Sequence, residues 1–236
     1  MLQGKSILVV DDEPDLREIL CDEFELEGAR VSNASNGQEA LKQVQAGSFD
    51  VVVSDLRMPG GDGVTLTRAL KARSSRSPVV VLMTGFADFT AEEAYEIGAE
   101  GFLTKPFHLD SVRERLCRLL TPSVDRWTPV LPQVPAKTVT EKFETFGSQP
   151  LLSFLGRGGM FWPGERLQLR LGDEVSFLAG SQLSGVAVVR WARSSPQAGR
   201  GSGVGLEFLS LGPESLKWVL EQQQAHQPVP FLPRGF

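Results

Sequence analysis

The sequence predicts an α/β protein in two parts: a five-stranded, parallel, doubly wound domain, then a small antiparallel β-barrel with a C-terminal helix. Three observations support this prediction. Short β-like runs alternate with helix-like segments up to about residue 120, which is typical of a parallel sheet covered on both faces. From about residue 138, short apolar runs are separated by glycine-containing turns. The balance of charge also changes, from 13 basic against 20 acidic residues over 1–121 to 11 against 9 over 122–236.

The first predicted domain covers residues 1–121. Its candidate strands are short β-like runs, namely Ser6–Val10, Ala29–Asn33, Asp50–Ser54, Val79–Met83 and Gly101–Leu103. The segments between them carry apolar residues at helical spacing, as in Leu16, Leu20 and Phe24. In folds of this kind the carboxyl ends of the strands carry the chemistry.

Residues 122–138 are predicted to be a proline-rich linker, because proline lacks an amide hydrogen and resists both helix and central strand. Its apolar residues Trp127 and Val130 could equally attach the segment to one domain.

The second predicted domain covers residues 139–225. Its clearest strands are Val186–Trp191 and Val204–Phe208, and its closing helix begins near Pro213, a residue that suits the first helical position. The tail, residues 226–236, contains three prolines and is predicted to be extended or partly disordered.

Composition excludes several classes of protein. No apolar run approaches the roughly 18 residues of a membrane span, and the N-terminus lacks the features of a secretory signal, so a cytoplasmic location is predicted. Two cysteines and two histidines without close spacing argue against structural zinc and against a disulfide scaffold. The acidic first half and the nearly neutral second half lack the basic face of a DNA-binding protein.

Polar residues stand where the predicted strands of the first domain end. Asp11 and Asp12 follow the first strand, Asp55 the third, Thr84 the fourth and Lys105 the fifth. Converging carboxylates repel each other unless a cation joins them, and hard oxygen ligands of this kind suit Mg²⁺. A lysine and a hydroxyl beside them would stabilise a phosphoryl group arriving at a carboxylate.

Residues 5–120 resemble a response-regulator receiver domain. The strings VVDDEPDLRE, SDLRMPGGDG, LMTGFAD and GFLTKPF carry the resemblance, in the order that the family shows. It implies that Asp55 accepts a phosphoryl group from a sensor histidine kinase. It also implies that Asp11, Asp12, Asp55 and the backbone carbonyl of Arg57 hold Mg²⁺, with no further cofactor-binding residues.

The resemblance further implies that Thr84 and Lys105 contact the phosphoryl oxygens, that Thr84 and Phe102 act as switch residues, and that the peptide bond before Pro106 is cis. Such a protein is no enzyme beyond catalysing its own phosphorylation and dephosphorylation.

Each of these residues has a plainer interpretation. Asp11 and Asp12 could cap the helix that follows the first strand. Thr84, followed by a glycine, could belong to an ordinary turn, and Phe102 could be core. His108, beside the Lys-Pro-Phe string, is expected to be a surface residue rather than a phosphate carrier.

The second domain is similar to PilZ domains, through LGRGGMF, LGDEVSF, SGVAVVRWAR and GVGLEFLSLGPESLKWVL in that order. That family binds cyclic di-GMP through an R-x-x-x-R motif and a D/N-x-S-x-x-G motif. Aligning the last glycine on Gly159 places Gly156 at the serine and Phe154 at the acidic position, and the only upstream arginine past Leu119 is Arg126. Each lost charged hydrogen bond would cost about 1.5–3 kcal/mol, so the domain is predicted not to bind cyclic di-GMP.

Arg190, Arg193 and Arg200 flank Trp191 around the loop SSPQAGRGSG. The group is either a partner-binding edge, since Trp and Arg are common interface anchors, or a core tryptophan beside solvated arginines. Alternation along the strand favours the core interpretation, because it puts Trp191 on one face with Ala187 and Val189.

The leading hypothesis is therefore a two-component response regulator whose degenerate PilZ-like domain contacts an unknown downstream protein. The alternative is a cyclic di-GMP effector, in which Arg157 and Arg170 replace the missing arginines. The sequence leaves open whether phosphorylation produces a homodimer or releases the second domain.

Overall fold

The computed structural model divides into two units, Met1–Thr121 and Pro122–Phe236, here called unit 1 and unit 2. It describes residues 2–85, 89–127, 137–141, 145–146, 149–164, 169–180, 183–196, 201–225 and 230–233, with only the backbone over 137–151. Within this part of the chain, no helix combines the length and the apolar character that crossing a membrane requires.

Unit 1 contains the predicted parallel sheet. Its strands are β1 (Ser6–Val10), β2 (Arg30–Ala34), β3 (Val51–Asp55), β4 (Val79–Thr84) and β5 (Gly101–Thr104). They pair in parallel in the order β2-β1-β3-β4-β5. The five-stranded parallel prediction is confirmed, and the strand ends differ from the predicted ones by at most one residue.

Five helices connect and flank these strands: α1 (Pro14–Leu26), α2 (Gly37–Ala46), α3 (Gly63–Arg73), α4 (Ala91–Glu96) and α5 (Leu109–Leu120). Side chains at three helix starts accept hydrogen bonds from the backbone of the first turn, at Asn36, Asp62 and Thr90. Such caps satisfy amides that have no partner within the helix. Apolar residues of α2, α3 and α4 share one core cluster with the sheet, whereas α1 packs against α5.

Unit 2 begins with the short helix α6 (Ser123–Arg126) and ends its regular structure with α7 (Pro213–Ala225). Between them lie a short 3-10 turn, Leu151–Phe154, and the strands β6 (Lys137–Glu141), β7 (Thr145–Phe146), β8 (Gln149–Pro150), β9 (Gly159–Pro163), β10 (Glu174–Ala179), β11 (Leu183–Arg193) and β12 (Gly203–Leu211). The closing helix begins at Pro213, as its position in the sequence predicts.

The large sheet of unit 2 runs in the order β6-β10-β11-β12-β9. Four of its strands are antiparallel, as predicted, and the edge strand β6 pairs with β10 in parallel. In this order β6 and β9 are the two outermost strands, and the pairs found among the described strands do not join them to each other. A parallel pair needs a long connection, and the chain from β6 to β10 supplies one that includes β7, β8 and β9.

Trp127 lies in the core of unit 2, although it falls inside the predicted linker. Its side chain is fully buried, and its ring meets that of Phe208 edge to face at 5.7 Å. Its carbonyl oxygen accepts a hydrogen bond from the amide of Leu211 at 3.0 Å. The start of the proline-rich segment is therefore a packed part of unit 2. Burial of the large indole stabilises this packing.

Where it is described, at residues 230–233, the tail is bent and packed rather than extended or disordered. Phe231 is 2% exposed and Leu232 is fully buried, and both pack in unit 2. The prolines exclude helix and sheet ladders, but they do not prevent a bent segment from burying its apolar side chains.

A register shift in β11 changes the surroundings of Trp191. Its pairing with β12 is irregular between Val189 and Trp191, and such an extra residue offsets the simple alternation of side chains. Trp191 is buried, as the core interpretation predicts, but it does not join the cluster that contains Val189. Its ring instead stacks on Phe161 at 5.6 Å, and the Arg193 guanidinium lies 5.6 Å from the centre of the Trp191 ring.

Candidate functional site

The polar residues predicted to end the strands of unit 1 do meet at one edge of its sheet. Asp11 directly follows β1, Asp55 and Thr84 are the last residues of β3 and β4, and Lys105 follows β5. Because all five strands are parallel, these positions lie at their carboxyl ends, where the strand order changes direction between β1 and β3.

The ammonium group of Lys105 joins the carboxylates of this site. Its Nζ lies 3.0 Å from Oδ2 of Asp11, 3.0 Å from Oδ1 of Asp55 and 3.1 Å from Oε1 of Glu13. Asp11 is fully buried and Asp55 is 6% exposed, whereas Glu13 is largely exposed. One cation thus offsets the repulsion between two buried carboxylates, an interaction that low water content strengthens.

Hydrogen bonds from backbone amides help to position Asp11, Asp55 and Lys105. The amide of Glu13 donates to Oδ1 of Asp11 at 2.9 Å, and the amide of Arg57 donates to Oδ2 of Asp55 at 3.2 Å. The amide of Lys105 donates to the carbonyl oxygen of Thr84 at 2.7 Å. The Lys105–Pro106 peptide bond is cis, as the resemblance implies.

The loop after β3 approaches the site so closely that it needs a glycine. The first residue of α3 is Gly63, whose amide donates to the carbonyl oxygen of Leu56 at 2.9 Å. A Cβ at this position would overlap the carbonyl oxygen of Asp55, which as backbone cannot move aside. The glycine therefore allows α3 to begin directly beside the Asp55 backbone.

A buried ion pair fixes the strands that carry Thr84 and Lys105. Nζ of Lys71 lies 2.7 Å from Oε1 of Glu100, and the second oxygen of Glu100 accepts the amide of Val80 at 2.8 Å. The carbonyl oxygen of Glu100 accepts a hydrogen bond from Arg115 of α5 at 2.8 Å. Glu100, just before β5, thereby connects α3, β4 and α5 around the site.

Burial and mutual attraction both shift the pKa values of Asp55 and Lys105. Burial raises the pKa of Asp55 above its usual range, and the Lys105 ammonium opposes part of that rise. Burial alone would lower the pKa of Lys105, but hydrogen bonds to Asp55, Asp11 and Glu13 outweigh it and raise the pKa. Lys105 therefore stays charged at neutral pH, and Asp55 is a more basic carboxylate than a surface aspartate.

We expect Asp55→Asn to raise the melting temperature at pH 7. A carboxyl whose pKa is raised by folding holds its proton more tightly in the folded state, so its ionisation favours unfolding as the pH rises. Asparagine removes that cost, while Lys105 keeps Asp11 and Glu13 as partners. The advantage should be present at pH 7 and disappear below about pH 4, where aspartate is protonated in both states.

Differential scanning calorimetry between about pH 3 and about pH 8 tests this expectation. Asp22→Asn, which changes an exposed acid on α1, is the matched control and should show no such pH-dependent gain. A lower melting temperature for D55N than for the wild type at pH 7 would contradict a raised pKa for Asp55.

The other predicted site residues differ in their exposure to solvent. The side chain of Asp12 is exposed, and that of Arg57 is exposed as well. Thr84 is buried, and the half-buried ring of Phe102 lies 6.3 Å from that of Phe89. His108 is an exposed residue at the start of α5, consistent with the expected surface position.

Glu13 is a contact of Lys105 that sequence reasoning missed. It follows Asp11 and Asp12 in an unbroken acidic run, VVDDE, and this run was the available signal. The residue caps α1 without a side-chain cap bond, so its carboxylate remains able to reach Lys105.

The donor set of the site fits Mg²⁺ in chemical type. Asp11 and Asp55 supply buried carboxylates from the ends of the neighbouring strands β1 and β3, and Mg²⁺ in proteins commonly takes only one or two carboxylates plus water. Within the described residues, no group of three or more His, Cys, Asp and Glu side chains is arranged to hold a metal ion. Asp11 and Asp55 are the buried carboxylates that could hold it, while Asp12 and the Arg57 carbonyl remain predicted ligands.

The predicted basic edge of unit 2 is largely committed to internal contacts. Nε of Arg190 donates to Oε2 of the buried Glu207 at 2.5 Å, and Nε of Arg193 donates to the carbonyl oxygen of Gly201 at 2.7 Å. Arg200 lies outside the described residues. Phe154, at the position of the acidic residue in the family motif, is buried and stacks on Phe161.

Comparisons with known proteins match unit 1. The family model for the response regulator receiver domain matches residues 7–117. "Regulatory protein AtoC" of Escherichia coli is 40% identical over 107 residues, covering 45% of this chain and 23% of that protein. The "Positive alginate biosynthesis regulatory protein" of Pseudomonas aeruginosa is 38% identical over 121 residues, covering 50% of this chain and 48% of that protein.

Among solved structures, the response regulator TrrA from Thermotoga maritima, in complex with Mg²⁺-BeF, is 33% identical with a TM-score of 0.45. The match covers 49% of this chain and 98% of that one. The chain spans half or less of the length of these two curated relatives, and the family match contains none of unit 2.

Proposed function

Because residues 7–117 form a response regulator receiver domain, we propose that this chain is a two-component response regulator that a sensor histidine kinase phosphorylates on Asp55. The observation that carries the proposal is the Lys105 ammonium, 3.0 Å from a buried carboxylate whose pKa is raised. This pair combines a nucleophile with a fixed positive charge for the incoming phosphoryl oxygens.

In the proposed reaction, a carboxylate oxygen of Asp55 attacks the phosphorus of a phosphohistidine in line with the P–N bond. The O–P bond forms as the P–N bond breaks, and the imidazole leaves and takes up a proton. Lys105 then pairs with a phosphoryl oxygen, and the Thr84 hydroxyl donates to another. When bound by Asp11 and Asp55, Mg²⁺ would supply further positive charge to the same oxygens. In dephosphorylation, water attacks the phosphorus, the bond between phosphorus and the Asp55 oxygen breaks, and inorganic phosphate leaves with the Asp55 carboxylate restored.

Removal of Mg²⁺ tests the metal part of this proposal. The chain incubated with acetyl phosphate and Mg²⁺ should gain one phosphoryl group, seen by intact-mass spectrometry. Chelation with EDTA should slow labelling by about two orders of magnitude, since a metal ion supplies several kcal/mol of charge stabilisation. Equal rates with and without the chelator would remove Mg²⁺ from the mechanism.

We further propose that the output is a contact between unit 2 and a downstream protein. The phosphoryl group adds about −1.5 to −2 charges at Asp55, and its pairing with Thr84 and Lys105 would bias the loops beside them and the Phe102 ring. The departure of the sequence from both ligand-binding motifs of PilZ domains supports a protein partner. The two motif positions that would need polar groups hold the buried Phe154 and Gly156, which packs against Pro233.

We therefore expect no heat when cyclic di-GMP is titrated calorimetrically into the full chain, either alone or with Mg²⁺ and beryllofluoride as a phosphoryl mimic. Without paired guanidinium groups, the phosphates and guanines of the ligand would lose several charged hydrogen bonds. Micromolar binding in either state would favour the alternative effector function, and Arg157→Ala would then be the first variant to titrate.

A further inference from the structure

The C-terminal segment, described at residues 230–233, is a bent peptide that packs against the rest of unit 2. The amide of Arg157 donates to the carbonyl oxygen of Pro230 at 3.1 Å, and the amide of Gly158 donates to that of Phe231 at 2.9 Å. Phe231 and Leu232 are almost completely buried. The segment is thus held by two main-chain hydrogen bonds and two adjacent apolar side chains, the kinds of contact that also hold short peptides in recognition grooves.

The segment lies in a groove that we call the tail slot, formed by Gly156, Arg157, Gly158 and Gln223. The two glycines leave the space that the segment fills. A Cβ at Gly158 would overlap the ring of Phe231, and the three atoms nearest to it all belong to that ring. A Cβ at Gly156 would lie 2.5 Å from the carbonyl oxygen of Phe231 and 2.7 Å from Cδ of Pro233. Any other residue at these two positions would therefore close the tail slot.

Helix α7 holds the backbone of Gly156 and Arg157 on the side opposite the tail segment. Nε2 of Gln223 donates to the carbonyl oxygens of Gly156 and Arg157, at 3.3 Å and 3.1 Å. These bonds orient the two carbonyls toward the helix, while the amides of Arg157 and Gly158 face the segment. The amides that receive the segment are therefore positioned by unit 2 itself.

The tail segment that fills the slot consists of two apolar residues between two prolines. Phe231 and Leu232 are the anchors, and Pro230 and Pro233 flank them with fixed φ and no amide hydrogens to satisfy. A segment of this kind loses little conformational entropy when it docks, which favours binding by a short peptide.

We propose that the tail slot is a binding site for a Pro-Phe-Leu-Pro-like segment of the downstream protein, and that the chain's own tail is a resident occupant that the partner displaces. The inference deepens the proposed function by naming the chemistry of its partner. It depends on contacts within unit 2 alone.

The test uses a fluorescent peptide with the sequence of residues 226–236 and the full chain carrying Phe231→Ala and Leu232→Ala, which vacate the slot. Fluorescence anisotropy should show saturable binding to this tail variant. Wild-type chain should bind at least about tenfold more weakly, because its own tail competes at a high effective concentration. A peptide carrying the same two alanines is the control and should not bind.

Gly158→Ala, added to the tail variant, should abolish binding without disturbing the fold. Its backbone φ is not in the left-handed region, and the atoms that its Cβ would meet are those that Phe231→Ala removes. Peptide binding that survives G158A, or no binding to a tail variant with a native circular dichroism spectrum, would overturn the proposal. Loss of folding in the tail variant would also overturn it, since the segment would then be a fixed part of the core.

Labelling of Asp55 by acetyl phosphate is measured on the same proteins. Normal labelling without peptide binding would refute the tail slot and leave the proposed receiver function standing. Peptide binding without labelling would refute the receiver function and support the tail slot.

Discussion

Asp55→Asn is expected to abolish incorporation of a phosphoryl group from acetyl phosphate or from a phosphorylated kinase. The amide has no nucleophilic oxygen of comparable strength, and it removes one of the three carboxylate contacts of Lys105. The remaining contacts of Lys105 with Asp11 and Glu13 are kept, so the site should retain its arrangement. Intact-mass spectrometry after a fixed incubation measures the effect.

Asp125→Asn, an exposed acid of α6, is the matched control and should label like the wild type. Since D55N is expected to be at least as stable as the wild type at pH 7, loss of labelling would not reflect loss of folding. Full labelling of D55N would mean that the phosphoryl group is carried elsewhere, and peptide mapping would locate it.

Trp127→Ala is expected to destabilise unit 2 by about 3–5 kcal/mol, the usual cost of deleting a buried tryptophan side chain. The indole is fully buried among apolar residues of the core and contacts the Phe208 ring. Truncation would leave a large cavity beside the sheet, which the surrounding strands can fill only in part.

The distribution of aromatic residues allows each unit to be followed separately. All four tryptophans lie in unit 2, and the single tyrosine, Tyr95, lies in unit 1. In urea, the tryptophan fluorescence transition of W127A should shift to a lower midpoint, while its Asp55 labelling stays normal. Val124→Ala, a truncation at a half-exposed position of α6, should change the midpoint little. An unchanged midpoint for W127A would return residues 122–138 to the status of a linker.

Much of the sheet of unit 1 could be predicted because its three central strands are dense apolar runs, such as Ile7–Val10 or Val51–Val53, bounded by polar residues. Parallel strands buried on both faces require such runs, so a local signal determined these strands. The same signal placed Asp11, Asp55, Thr84 and Lys105 at strand ends, and the parallel topology brings those ends together. The ionic contact between Lys105 and Glu13 joins residues 92 positions apart, and no local pattern indicates it.

Unit 2 was less predictable for a related reason. The register shift that moves Trp191 out of the cluster of Val189 depends on how β11 meets β12, and neither strand alone specifies it. The parallel edge between β6 and β10 likewise joins segments far apart in the chain. Prolines near Trp127 and Phe231 predicted a linker and a loose tail, but burial is decided by what lies nearby in space.

The sequence by itself therefore determined the parallel sheet, its strand ends and the residue types of the proposed phosphoryl-transfer site, because those features depend on local apolar periodicity and on residue position. The tertiary structure decided that Lys105 joins Asp11, Glu13 and Asp55, that Trp127 belongs to the core of unit 2, and that the tail fills a slot at Gly156 and Gly158. These contacts join distant parts of the chain, and their free energy comes from burial and charge pairing that exist only once the units have folded.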